Sequence, residues 1–162
     1  MNPRINLPLV PDETEALLWA PWRMLESDHD SFIAELSALE GLLKEQSLRP
    51  HATAKVLQRV EFFILHFEDH MDAHFKAEET AVFPYLRRHA PRMAPTLLYL
   101  IAEHRVILRT MAEWKRSFRK IKAKTSPESP QTSVCRQGLE LVRLLRAHVL
   151  KERRIMRRFA TN

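Results

Sequence analysis

Apolar residues recur at helical spacing in four stretches of this chain, and prolines stand at the breaks between the stretches. In the first stretch, Phe32, Leu36 and Leu39 fall on one face of a helix at about 100° per residue. The pattern predicts four amphipathic helices, at approximately residues 22–48, 53–83, 93–124 and 131–159. Because the connections are short, neighbouring helices should be antiparallel. We therefore predict an all-α fold, an up-down-up-down four-helix bundle over residues 21–162.

The residues before the bundle, 1–20, lack a regular apolar period and are expected to form an N-terminal arm. Leu17, Leu18 and Trp19 of this arm should pack on the outside of the bundle or at a partner interface, which would suit a homodimer. No apolar run has the length of a signal peptide or of a membrane span, so no contact with a membrane is expected. The single cysteine, Cys135, excludes an internal disulfide and is expected to be a packed or surface residue rather than a nucleophile. A reducing cytoplasmic location is therefore expected.

Composition and charge narrow the possible functions. The chain has 162 residues, which favours one domain, and only two glycines, which excludes a glycine-rich phosphate loop. Its net charge is +6, and much of the excess lies near the C-terminus, at Lys151, Arg153, Arg154, Arg157 and Arg158. A basic nucleic-acid-associated helical protein is thus an alternative, but no recognition motif accompanies the cluster. The same cations suit a solvated helix C-terminus, so nucleic acid is not the expected partner.

The most informative pattern is a histidine followed about forty-five residues later by His-x-x-x-Glu, and it occurs twice. The i, i+4 spacing places each His and Glu one above the other on a single helix face. At helical spacing, all the polar residues of both copies fall inside the apolar arcs of their helices. These candidate metal ligands are His29, His74 and Glu78 in the first copy and His104, His148 and Glu152 in the second.

A metal centre explains two acidic residues in an apolar core better than packing does. An unpaired carboxylate in a bundle interior costs at least several kcal/mol or becomes protonated. Bound cations offset that cost, because carboxylate oxygens and neutral imidazole nitrogens are their usual ligands. The alternative is a metal-free structural or interaction bundle in which these groups form buried ion pairs. A ferritin-like ferroxidase fits less well, because its mark is Glu-x-x-His rather than His-x-x-x-Glu.

Around these residues the chain resembles the hemerythrin-like, or HHE cation-binding, family over roughly residues 24–160. The matching segments are Asp28-His29-Asp30 with Phe32 and Ile33, His74-Phe75-Lys76-Ala77-Glu78-Glu79 leading to Val82-Phe83-Pro84, His104, and His148-Val149-Leu150-Lys151-Glu152. The resemblance implies an antiparallel four-helix bundle that holds a non-haem, oxo- or hydroxo-bridged pair of iron ions. It further implies that the four histidines are terminal ligands and that Glu78 and Glu152 bridge the irons.

The chain departs from the oxygen-carrying members of that family at two places. The carriers have a second histidine one turn from the first in the third helix, whereas Leu100 and Leu108 stand there in this chain. Their fourth helix has an aspartate five residues after its histidine, where this chain has Arg153. The sequence is therefore similar to the four-His, two-Glu branch, which includes proteins assigned to the repair of iron centres. The cysteine-bearing N-terminal domain frequent in that branch is missing from this sequence, which weakens the expectation of repair activity.

A site with this ligand set should leave open positions on each metal. We expect it to bind or react with a small diatomic ligand (dioxygen or nitric oxide) or with hydrogen peroxide. Sensing, scavenging or iron handling is favoured over bulk oxygen transport, because oxidation of an open ferrous pair should compete with reversible binding. The same ligands accept manganese or zinc. Neither an enzymatic reaction nor a redox partner follows from the sequence.

Several neighbouring side chains are candidates to hold these ligands by hydrogen bonds or to act as a further ligand. Each ligand imidazole needs an acceptor for its second nitrogen. Asp28 and Asp30 flank His29, and either is a candidate acceptor. His70, one turn before His74, is a candidate supporting group or spare ligand at the edge of the inward arc. Glu79 is expected to turn away from the core into solvent.

Overall fold

The structure, a computed structural model, describes residues 13–47, 54–123 and 130–160, and it is all-α over these residues, as predicted. Its helices are α1 (Glu13–Ser47), α2 (Ala54–Ala77), α3 (Phe83–His89), α4 (Ala94–Lys122) and α5 (Pro130–Ala160). A π-helical turn, Glu78–Val82, joins α2 directly to α3, and a 3₁₀ turn, Pro91–Met93, precedes α4. The continuous run from α2 through α3 counts as one long rod, so four rods form the bundle.

Ion pairs between helices show that neighbouring rods run in opposite directions. Between α1 and α5, Glu40 pairs with Arg146 and Asp30 pairs with Arg153, so the sequence numbers rise along one helix as they fall along the other. The α2–α4 pairs show the same reversed order: Glu61 with Lys122 and Glu68 with Lys115. Further contacts join α1 to α2 and α4 to α5. The predicted antiparallel helical bundle is confirmed.

The core has two apolar parts, and on the second, third and fourth rods the polar residues predicted to bind metal lie between them. The larger part contains the completely buried residues Leu36, Met71, Trp114 and Leu141. The smaller part, near the π turn, consists of Val82, Phe83, Leu86, Leu97, Leu100 and Met156. The polar residues are therefore enclosed by apolar layers above and below.

Two predicted helix boundaries were wrong, in both cases because a proline does not end a helix in this fold. Helix α1 begins at Glu13 rather than near residue 22, and Pro21 lies inside it. The second rod continues past Pro84 to His89. Pro84 falls in the first turn after the π turn, where its missing N–H is best tolerated.

The expected N-terminal arm is described only in part. Residues 1–12 lie outside the described residues, and 13–20 belong to the first turns of α1. The side chains of Leu17, Leu18 and Trp19 also lie outside the described part, so their packing stays a prediction. Among the described helices, none combines the length and the apolar character needed to cross a bilayer.

Candidate metal centre

The structure brings together all six residues that the repeated pattern singled out. Two sets of four donor atoms form, and within each set the atoms lie within 4.8 Å of one another. We call these sets position A, formed by His29, His74, Glu78 and Glu152, and position B, formed by Glu78, His104, His148 and Glu152. None of the six is more than 3% exposed. Both glutamates belong to both positions.

Each glutamate directs one oxygen towards each position. Glu78 places Oε1 3.3 Å from Nε2 of His74 and Oε2 3.2 Å from Nε2 of His104. Glu152 places Oε2 3.2 Å from Nε2 of His29 and Oε1 2.9 Å from Nε2 of His148. A carboxylate whose two oxygens face two different histidine pairs is arranged to bridge two cations.

The inward atoms are close together, yet most of them make no hydrogen bond. Both oxygens of Glu78 and of Glu152 are buried without a hydrogen-bond partner among the described residues, as is Nε2 of His29. In position B, the Nε2 atoms of His104 and His148 lie 3.0 Å apart. Two nitrogens that bind one ion at about 2.1 Å and at right angles would lie about 3.0 Å apart. The donor set therefore fits cations better than it fits a hydrogen-bonded network.

The helix geometry around Glu78 explains how two adjacent glutamates both serve the centre. The backbone N–H of Phe83 bonds to the carbonyl of Glu78, five residues earlier, which widens the turn. Glu78 is fully buried, and the Glu79 carboxylate reaches Nδ1 of His104 at 2.7 Å. The expectation that Glu79 turns away from the core was wrong. A π turn is recognised from backbone hydrogen bonds, which no residue type in this segment signals.

Three of the four imidazoles donate their outer nitrogen to a carboxylate. His104 donates to Glu79 at 2.7 Å, and His148 donates to Glu103 at 3.2 Å. His74 donates to Asp28 across a longer distance, 3.4 Å. Such acceptors fix the tautomer, so that the inner nitrogen presents its lone pair to a cation. Sequence reasoning missed Glu103, although an acidic residue directly before the histidine in both copies was a usable signal.

Neighbouring charged groups change the pKa values of His74, His104 and Glu152. Burial of the ring lowers the pKa of His104, but Glu152, Glu78 and Glu79 together raise it to about 10. Burial likewise opposes protonation of His74, and Glu78 outweighs it and raises the pKa of His74. Burial favours the neutral acid of Glu152, yet its histidine neighbours hold the pKa of Glu152 well below the usual range. The centre thus attracts positive charge, and a cation would have to displace protons from it.

Aromatic rings surround the polar cluster. The ring of Phe75 stacks on His104 with centroids 3.9 Å apart, and Phe83 lies on a second side at 5.8 Å. Phe32 meets His74 edge to face at 4.9 Å. These rings keep the imidazoles in place and surround the donor atoms with a low dielectric, which strengthens their attraction for a cation.

A comparison with protein families identifies the family of this chain. The description "Hemerythrin HHE cation binding domain" matches residues 20–160. The chain belongs to the hemerythrin HHE family. It is therefore a cation-binding protein of this family, and the matched range contains all six residues of positions A and B. Comparison with curated proteins and with solved structures gives no match.

Other candidate residues of this hemerythrin-family chain lie outside the two positions. His70 contacts Asp28 rather than a donor atom, with Nε2 3.8 Å from Oδ1. Asp30 pairs with Arg153, and Asp28 contacts His74. Neither aspartate accepts a hydrogen bond from the outer nitrogen of His29. Cys135 is buried, and burial raises the pKa of its thiol, which agrees with a packed residue.

The basic C-terminal cluster is partly neutralised within the fold. Lys151 pairs with Glu103, and Arg153 pairs with Asp30. Arg154 is exposed, and Arg158 lies outside the described side chains. Lys151 and Arg153, two of the five cations, are therefore paired with acidic residues of other helices instead of contributing to an open basic surface.

Proposed function

We propose that this chain holds two iron ions, one at position A and one at position B, and that it reacts with a small oxidant or diatomic molecule. Dioxygen, nitric oxide and hydrogen peroxide are the candidate reactants, in sensing, scavenging or iron handling. The observation that supports this most strongly is the pair of buried glutamates. Within the described part of the chain, Glu78 and Glu152 have no hydrogen-bond partner, yet each lies between two histidine pairs.

The count of donors favours reaction over inert storage. Each position has two imidazoles and one oxygen from each shared glutamate, which makes four protein donors per position. Six-coordinate iron would retain open positions with this set, as non-haem iron sites with few protein ligands do. Iron supplies one-electron chemistry at such positions when it is bound. Manganese and zinc accept the same donors, so the identity of the metal is part of the proposal.

The protein's own contribution is to hold the donor atoms ready and to keep water out. Glu79, Glu103 and Asp28 hold three imidazoles in the tautomer that presents Nε2 inward. The shared carboxyl groups place acceptor oxygens in the core, where the rings of Phe75 and Phe83 limit solvent. Because the donor atoms are already in place, the side chains need little rearrangement when a cation binds.

The proposal is tested by measuring metal content and optical spectra after anaerobic loading with ferrous iron. The native chain should hold about two irons, one at each position, and exposure to air should produce the near-ultraviolet absorption of an oxidised iron pair. Glu152→Gln keeps the shape of the side chain but removes a charge that both positions share. It should lower the iron content to one per chain or less.

A matched control is available on the same helix. Glu140 is about half exposed and pairs with Arg143, three residues away and remote from both positions, so Glu140→Gln should leave the iron content unchanged. If Glu152→Gln retained as much iron as Glu140→Gln, the proposal would be refuted and a metal-free bundle would be the better account. If the native chain bound two zinc or manganese ions in preference to iron, the choice of iron would be wrong.

A further inference from the structure

Acidic residues stand next to ligands in both copies of the repeated pattern, but one such position, directly after Glu152, is not acidic. In each copy, an acidic residue directly precedes the first histidine, and it accepts a hydrogen bond from the outer nitrogen of the second histidine. Asp28 accepts from His74, and Glu103 accepts from His148. In the first copy, Glu79, directly after the shared glutamate, also serves His104 of the other copy. The residue directly after Glu152 is not acidic, because it is Arg153.

As a result, one imidazole has no acceptor among the described residues. Nδ1 of His29 is buried and makes no hydrogen bond to any residue that the structure describes, and the ring is completely inaccessible. Arg153 cannot accept a proton from this ring, and it pairs instead with Asp30. His29 therefore lacks the contact that holds His104 in place.

The one acceptor that serves position A is also weaker than those of position B. Asp28 lies 3.4 Å from Nδ1 of His74, near the upper limit for a hydrogen bond. The other Asp28 oxygen faces His70, and both side chains are about one-third exposed, at 33% and 37%. In position B, by contrast, Glu103 is held by Lys151 as well as by His148. The outer contacts of position B are therefore shorter, and Lys151 anchors one of them.

We infer that the two positions differ in affinity, so that position B fills first and keeps its metal while position A holds an exchangeable ion. The inference rests on the proposed function, in that it takes both positions to bind metal. A carboxylate that accepts the outer nitrogen of a ligand histidine typically changes metal affinity by about 10- to 100-fold. One missing contact and one long contact thus predict at least a ~10-fold weaker position A. Asp28 and Glu79 are positioning residues, since they act through the ligands.

Cobalt(II) is a suitable probe, because its visible spectrum reports each bound ion without any reaction at the centre. Titration of the metal-free full chain should show two steps whose intrinsic constants differ by about 10-fold or more. Asp28→Asn should weaken the second step by about 10- to 100-fold and leave the first unchanged. Glu79→Gln should weaken the first step. Each variant is the other's control, since both exchange a carboxylate for an amide of the same shape. Far-ultraviolet circular dichroism checks that both remain folded.

Exchange gives an independent readout. When the cobalt-loaded chain meets excess chelator, one ion should leave quickly and one slowly, and Asp28→Asn should accelerate the fast phase only. Two bound ions with equal intrinsic constants, or variants that shift both steps alike, would overturn the inference while leaving the proposed function intact. Failure of the native chain to bind any cobalt or iron would instead contradict the proposed function, and this inference with it.

Discussion

Gly138 and Gly41 form a matched pair that measures how closely α5 packs in the bundle. A Cβ atom on Gly138 would lie 2.6 Å from Cδ1 of Leu43 and 2.9 Å from two ring carbons of Trp114. The Trp114 ring is completely buried, and its Nε1 donates to the Val134 carbonyl at 3.0 Å, so the ring cannot move aside easily. A Cβ on Gly41 would meet nothing within 4 Å. Gly138→Ala should therefore strain the core, whereas Gly41→Ala should not.

The expected magnitudes follow from two opposing effects. Replacing glycine by alanine inside a helix stabilises it by about 1 kcal/mol, and both glycines are helical. Overpacking a full core costs about 1–3 kcal/mol, and it applies to Gly138→Ala alone. The difference between the two variants should therefore be about 1–3 kcal/mol. For a chain of this size, that corresponds to a Tm difference of roughly 2–12 °C.

Thermal unfolding of the metal-free chain, followed by circular dichroism, measures both variants under one condition. Gly41→Ala should raise Tm by about 2–4 °C, and Gly138→Ala should melt clearly below Gly41→Ala. Equal Tm values for the two variants would refute the reasoning, because they would show that α1, α4 and α5 do not meet at Gly138. Gly41→Ala reports the helix effect without the packing effect, so no separate estimate of propensity is needed.

Three further predictions concern titration, reactivity and a buried hydrogen bond. Because the pKa of His104 is raised from 6.5 to about 10, its stabilising effect should be complete below pH 6.5 and be lost as pH rises towards 10. The Tm of the metal-free chain should fall over that range, and a constant Tm would contradict the assignment. Cys135 is 3% exposed, and burial raises the pKa of its thiol. A thiol reagent should therefore modify Cys135 far more slowly in the folded chain than in urea. Equal rates would show that the thiol is accessible in the folded chain. Trp114→Phe removes the indole hydrogen bond to the Val134 carbonyl, which keeps its backbone donor within α5, and should cost about 0.5–1.5 kcal/mol in urea denaturation. No change in midpoint would place the indole in contact with water.

Much of this structure could be predicted because it depends on spacing within single helices. The helical period of the apolar residues predicted the rods, and the i, i+4 spacing predicted that each His–Glu pair shares a face. Inward placement of His29 and His104 followed from the same angular argument. These features are local, since a regular helix fixes the direction of each side chain relative to its neighbours.

The errors occurred where the backbone departs from a regular helix or tolerates a helix breaker. An ideal α-helix rotates Glu79 away from Glu78 towards solvent, whereas the π turn brings both towards the centre. The sequence pattern predicts helix ends at Pro21 and Pro84, yet α1 and the second rod continue through them. Propensity alone does not report these cases, because packing of the rods outweighs the local cost.

By itself, the sequence determined that two buried glutamates and four inward histidines must be accommodated in a helical core. Only the tertiary structure decided that each glutamate faces two histidine pairs, and which carboxylate serves which imidazole. Asp28 precedes His29 yet serves His74, and Glu103 precedes His104 yet serves His148. These partners lie on different helices, so the relative rotation and depth of packed rods select them. Periodicity along one helix carries no information about either quantity.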